Sequence, residues 1–259
     1  MQIIIVLTVL FATVLGSLSG IGGGVIIKPV MDAVSGLTSS QISFLSGTTV
    51  LTMTIVSLLR SRGGEVRIDR RGIFLAFGAA FGGLAGKSIF SWMVSSLPSQ
   101  DGVSLVQNII MVILTVAVFF YVLFKARVHQ LDIQNRVFCT LAGLFLGLMS
   151  SFLGIGGGPI NIMVLSYFFS MDTKTSALNS LYIIFFSQVV SLLSNLVMRD
   201  VPTFDPLLLV MMMVCAVIGA SGGRWLSKKL DSRQIDVMFL CMLVLITGIS
   251  VYNCFKYGL

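Results

Sequence analysis

Apolar positions in this chain come in long unbroken stretches separated by short polar segments, with no alternation of apolar and polar residues. The pattern predicts helices near 2–19, 41–60, 72–96, 105–124, 137–153, 176–198, 206–227 and 236–255. At about 1.5 Å rise per residue, most are long enough to cross a hydrocarbon core of roughly 30 Å. The first and fifth are short for a full crossing. Each runs into a glycine-rich break followed by a second short apolar piece, near 25–36 and 159–171.

Of the 259 residues, 56% are hydrophobic and 10% charged, and the mean hydropathy is +1.01. A water-soluble fold of this length has no interior large enough for that much apolar surface. The strands of a membrane barrel would alternate apolar and polar over about ten residues, so a barrel is excluded. Disorder, a coiled coil and a secreted disulfide scaffold go as well. The expected fold is an all-α polytopic membrane protein with about eight transmembrane helices. Two short re-entrant or broken helices follow the glycine breaks. The first stretch, Met1 to Gly16, has no basic leader and no clear cleavage site, so it reads as a retained helix.

The net charge of +7 changes the picture only through where it sits. The segment 60–71 carries five basic residues, 125–136 carries three and 224–233 carries four, while 97–104 carries none and 199–206 one. Basic residues clustered beside apolar spans report membrane orientation, not nucleic acid. The three basic loops are expected in the cytoplasm and both termini outside. The expected location is the cell membrane, in a bacterium the inner one.

The sequence contains its own repeat. Gly20-Ile21-Gly22-Gly23-Gly24 recurs as Gly154-Ile155-Gly156-Gly157-Gly158, 134 residues on. Ser57-Leu58-Leu59 recurs as Ser191-Leu192-Leu193, and Gly78-Ala79-Ala80 through Lys87 resembles Gly219-Ala220-Ser221 through Lys228. The chain divides into a first repeat, 1–125, and a second, 126–259, within one transmembrane domain. The helix after the first motif ends at a basic loop and the helix after the second at the outer loop Arg199, so the repeat is expected to be inverted. An odd number of crossings per half is then required. Either five crossings or three full spans plus a short helix that enters and returns provide it. Glycine-interrupted helices at matching places in an inverted repeat point to a transport site.

Three consecutive glycines are costly as helix, roughly 1 kcal/mol each relative to alanine. They suit backbone that approaches a ligand closely. A helix beginning just after them presents bare N–H groups and the positive end of its dipole, which suits an anion. Pro159 directly follows the second motif, where a first-turn proline is favourable. The candidate substrate-binding residues are therefore Gly22, Gly23, Gly24, Gly156, Gly157 and Gly158, with Lys28, Thr48, Thr49, Asn161, Asn179 and Ser180 as nearby polar groups. The competing reading of the glycines is close helix packing. Lys28 has two readings, holding an anion or snorkelling to the outer headgroups. Lys87 counts near the outer interface, where snorkelling is expected, and Gln188 is expected to bond between helices.

The ten carboxylates fall in loops or near segment ends, and only Asp32 and Asp172 lie in the motif regions, so no buried proton relay is expected. Cys139, Cys215, Cys241 and Cys254 have no zinc or redox spacing and read as small hydrophobes. His129 is the only histidine and sits in a basic loop. No catalytic set, metal cluster or cofactor motif is expected, and the chain is not expected to be an enzyme.

The paired motifs, GIGGGVIIKP with SFLSGTT and GIGGGPINIM with SALNSL, resemble those of the sulfite exporter TauE/SafE family of membrane permeases. The resemblance covers nearly the whole chain. The second half departs from it: Met163 stands where the family often has proline, and Asn179-Ser180 replaces Gly-Thr. The resemblance implies a secondary transporter for a small sulfur-containing anion of the sulfite or organosulfonate class, working by alternating access. The alternatives are a thiosulfate or other sulfur-compound importer using a cysteine, and a small-anion channel. The partners expected are the anion, a coupling ion (proton or sodium), the lipid bilayer and a second copy as homodimer. Nucleic acid is not among them.

Overall fold

A computed structural model describes residues 2–61, 68–97 and 99–258. Arg62 and Arg67 of the first basic loop lie outside the described residues. The elements are α1 (Gln2–Ser19), α2 (Gly24–Val34), α3 (Ser39–Ser61), α4 (Arg70–Ser96), α5 (Gln100–Phe124), α6 (Arg136–Leu153), α7 (Gly158–Phe169), α8 (Thr173–Val197), α9 (Pro206–Lys229) and α10 (Ser232–Gly258). Among the described residues there is no strand, only an isolated bridge between Asp132 and Phe169. Eight helices are long and apolar enough to cross a membrane; α2 and α7 are the short pieces after the breaks.

The helices α4, α6 and α8 begin one to three residues before the apolar runs that predict them, because their first turns are polar and capped; α9 begins at the predicted residue with a cap of its own. Asp69 accepts from the amide of Arg71 at the start of α4, Asn135 caps α6, Asp172 caps α8, and Asp205 caps α9 with Pro206 in its first turn. Such caps satisfy N–H groups that a helix start otherwise leaves bare.

The helices turn apolar faces outward and small polar groups inward. Ile73, Phe77, Phe81 and Trp92 of α4 are exposed, as are Val210, Val214 and Trp225 of α9. Thr13, Ser17, Ser46, Thr49, Ser57, Ser180 and Ser187 are fully buried. A bundle surrounded by lipid gains nothing from hiding leucine, so its contacts rely on close packing and hydrogen bonds. Gly78, Gly82 and Gly86 of α4 lie directly against the backbone of Thr140, Leu144 and Leu148 on α6. Gly143 and Gly147 of α6 return the contact on Leu75 and Ala79. Gly219 and Gly223 of α9 lie in the same way against Leu10, Thr13, Val14 and Ser17 of α1. Thus α4 pairs with α6 and α9 with α1, while α5 lies beside α10 and α3 beside α8. Exchanging the halves of the chain maps this pairing onto itself.

Hydrogen bonds identify two ends of the bundle. At the first end, Gln2 donates to Asp205, Gln41 to the Thr203 carbonyl, Ser39 to the Gln100 carbonyl and Lys256 to the Asp32 carbonyl. At the second end, Asp69 donates its amide to Asn179, Arg71 donates to Asp132, the Leu131 amide donates to Tyr167, and Lys125 donates to Thr173. The start of α1 and the end of α2 thus share the first end, and the end of α7 lies at the second. The starts of α3, α5 and α9 are at the first end, and those of α4, α8 and α10 at the second.

Candidate functional site

The two glycine breaks meet inside the bundle. A methyl group added to Gly24 would press on the Ile155 carbonyl at 2.5 Å, and one on Gly158 on Val25 at 2.6 Å. One on Gly22 would stand 3.5 Å from the Gly156 carbonyl. Gly22, Gly156, Gly157 and Gly158 all have positive φ, 81°, 81°, 90° and 51°, which an L side chain adopts only under strain. Gly23 is different: its φ is −58° and only α1 crowds it. Val50 of α3 and Ile184 of α8, again 134 positions apart, fill the space against Gly24, Gly156 and Gly22. The closest approach of the two breaks is therefore apolar.

Each break is tied down by a serine from the other half. Ser46 donates to the Gly154 carbonyl at 2.7 Å and Ser180 to the Gly20 carbonyl at 2.6 Å. These are the carbonyls that the amides of Gly24 and Gly158 would take if α1 and α6 simply continued. With the serines in place, the N-caps Gly23 and Gly157 offer no side-chain bond to the first turns of α2 and α7. Two half-helices thus point uncapped N-termini toward the middle of the bundle. Their positive dipole ends favour a negative ligand there, with Val25 and Ile26 giving their amides to the Gly22 and Gly23 carbonyls.

The polar candidates divide into two groups. Asn161 donates to Ser180 at 3.3 Å, leaves its Oδ1 buried without a partner, and lies within van der Waals reach of Gly157. Lys28 sits with the other group. It is 2% exposed, and its ammonium donates to Gln107 Oε1 at 2.6 Å and Ser43 at 3.0 Å. The snorkelling reading of Lys28 is thereby removed: α2 turns back into the bundle, so its polar tip has no route to headgroups. Thr48 and Thr49 donate to carbonyls of their own helix, Phe44 and Leu45. Asn179 donates to the Thr175 carbonyl and accepts from the Asp69 amide, so its side chain faces the start of α4 instead of the breaks.

Asp32 is buried, although the sequence placed the carboxylates in loops or near segment ends. It is 1% exposed, one turn after Lys28 on α2, with Oδ2 accepting from Asn108 at 3.3 Å and Oδ1 unpartnered. Asn253 of α10 donates to Asn108 and to the Pro29 carbonyl, and Tyr257 donates to the Asp32 carbonyl, which closes the cage. Counting from segment ends put Asp32 at a surface. The short length of α2 and the cover from α5 and α10 enclose it instead. Lys87 departs from expectation too: it is near the first end, but its ammonium turns to Asp200 at 3.3 Å instead of to headgroups. Gln188 bonds between helices, donating to Ser150 of α6.

At the second end Arg71 holds Asp69 at 3.0 Å and Asp132 at 2.7 Å. Its hydrogen bonds hold the carboxyls of Asp69 and Asp132 below the usual range. Among the described residues no three His, Cys, Asp or Glu side chains gather as a metal-holding group.

Comparison with known proteins agrees with this architecture. The chain is 23% identical over 278 residues to a protein of Bacillus subtilis (strain 168) named "Probable membrane transporter protein YunE", with 97% of each chain covered. No solved structure matches it. A family model described as Sulfite exporter TauE/SafE matches residues 5–250. The chain belongs to the sulfite exporter TauE/SafE family, and its role is transport across a membrane.

Proposed function

We propose that the protein is a secondary transporter for a small sulfur-containing oxyanion, of the sulfite or organosulfonate class, built as an inverted repeat and working by alternating access. The carrying observation is the meeting of two uncapped half-helix N-termini, one from each half, inside the bundle. Amides around Gly22–Gly24 and Gly156–Gly158 hold the anion once Val50 and Ile184 part, and Lys28 supplies the positive charge. Equivalent helices that begin at opposite ends support the inversion. The sulfur class rests on the family description. The described basic groups at 125–136, 224–233, Arg60, Arg70 and Arg71 gather toward the second end, which supports assigning that end to the cytoplasm.

The test is uptake into proteoliposomes of sulfite, thiosulfate, sulfate and short sulfonates, with and without a pH gradient, together with counterflow. Saturable uptake with counterflow of a sulfur oxyanion is expected. Flux of none of them, or unitary currents without counterflow, would sink the reading.

A further inference from the structure

We infer that the cleft between α3, α4, α6 and α8 is the vestibule that receives the anion, and that Lys87 takes it by releasing Asp200. This rests on the anion-transport reading above and adds a location and a residue to it. The cleft offers about 30 Å³ of free space, roughly one water molecule, so it must widen to take an anion. Asp200 and Pro202 line it at the first end and Gly154 of the second break lines it on the inside.

Its walls mix polar groups with Phe44, Phe90 and Leu192, in a bundle whose outer surface is apolar. Ser43 and Ser191 contribute hydroxyls, Gln188 an amide, and Lys87 the only ammonium group among the lining residues. The Lys87 side chain is 11% exposed and packs over the Phe90 ring, whereas the Asp200 side chain is 57% exposed on the loop between α8 and α9. The lysine is the enclosed member of the pair and its carboxylate partner the solvated one. A carboxylate is itself an oxyanion, so the arrangement already displays the kind of group Lys87 accepts. The Asp200 carboxylate also accepts from the Ser91 hydroxyl at 3.1 Å, and its backbone amide donates to the Asn195 carbonyl at 3.0 Å.

The cleft also leads inward. Ser43 lines it, touches Gly154 and accepts from Lys28 at 3.0 Å. An anion leaving Lys87 therefore meets a hydroxyl bonded to the second buried ammonium. The same positions in the first half are closed more tightly: Ser17 and Ser57, counterparts of the lining residues Ser151 and Ser191, are fully buried, and Ser57 donates to Ser17 at 3.1 Å. Ser17 in turn donates to the Ala220 carbonyl at 3.0 Å. The difference is one of degree: Ser151 and Ser191 keep 6% and 8% exposure, whereas Ser17 and Ser57 keep none.

Sulfite uptake by the full chain in proteoliposomes tests this with Lys87→Gln, Lys87→Arg and Asp200→Asn. Lys87→Gln is expected to raise KM about threefold or more with little change in kcat, and Lys87→Arg to restore most of it. Asp200→Asn removes the competing carboxylate and is expected to lower KM. A purely structural ion pair predicts the same direction of change for both partners, and that outcome, or no change in either, overturns the inference. A second readout uses Ser191→Cys in a chain whose native cysteines are replaced. A sulfonate-bearing thiol reagent should label it faster than a cationic one, and millimolar sulfite should protect it; equal rates without protection overturn the proposal even where Lys87→Gln fails to insert. If the wild-type chain moves none of the tested anions, the transport reading itself has failed and the vestibule falls with it.

Discussion

Ser46 and Ser180, 134 positions apart, perform one task in opposite halves: each donates its hydroxyl to the carbonyl at the start of the other half's break, at 2.7 and 2.6 Å. Interhelical bonds of this kind inside a membrane average roughly 0.6 kcal/mol and reach about 1.7. Ser46→Ala and Ser180→Ala should each lower stability by such an amount, and by similar amounts. Thermal unfolding in detergent reads this directly. An unchanged midpoint in both would mean that the ties carry no weight.

Glycine substitutions should separate by conformation. Gly157→Ala forces a side chain into φ 90° and onto Asn161, at 2.6 Å from its amide nitrogen. Positive φ alone costs about 1–2 kcal/mol. Gly23→Ala has ordinary φ and meets its neighbours at 3.1 Å. Uptake should collapse in Gly157→Ala and largely survive in Gly23→Ala, while a bulky residue at either position should stop transport with the protein still inserted. Comparable flux in the bulky variants and the wild type would favour plain helix packing.

Lys28 and Asp32 should behave differently for stability and for function. Lys28→Met removes one of the two cations near the buried Asp32, Lys256 at the Asp32 carbonyl being the other, and should lower stability. Adding Asp32→Asn should recover most of that stability. Transport should stay absent in both, because the cation is gone. Uptake returning with the double variant would show that Lys28 serves folding alone.

Replacing all four cysteines with alanine should leave transport intact. Cys139 is buried, Cys241 faces outward, and none of the four lines the vestibule. Loss of sulfite or thiosulfate uptake, with the chain properly inserted, would revive the cysteine-dependent importer.

Acid should loosen the second end first through Asp69. Its carboxyl is held below its ordinary value by the Arg71 hydrogen bond. The clamp is then fully present above about pH 4 and is lost as pH falls through the lowered value. Arg71→Gln should remove this low-pH dependence, which unfolding midpoints between about pH 3 and 5 would reveal.

The spans, the paired breaks and the basic loops were legible because hydropathy and local composition carry them. Two positions in a repeat predicted the meeting of Gly22 and Gly156, but not what lies between them. Val50 and Ile184 look like any other core residues until α3 and α8 are placed side by side. Asp32 was misread because distance along a segment does not measure depth when a short helix folds back under α5 and α10. The partner of Lys87 was hidden for a related reason: Asp200 is 113 residues away, on a loop whose position depends on how α8 and α9 pack. The stripe Gly78, Gly82, Gly86 was written in plain sight, yet only its neighbour α6 gives it meaning.

That stripe limits how the molecule can work. Because α4 is pressed backbone to backbone on α6, and α9 on α1, each sequence repeat is clasped by a helix of the other. The repeats cannot rock apart as two rigid blocks without tearing both seams. Any mechanical unit that swings must be a composite, drawn from both halves of the chain, so the boundary near residue 125 is not a hinge.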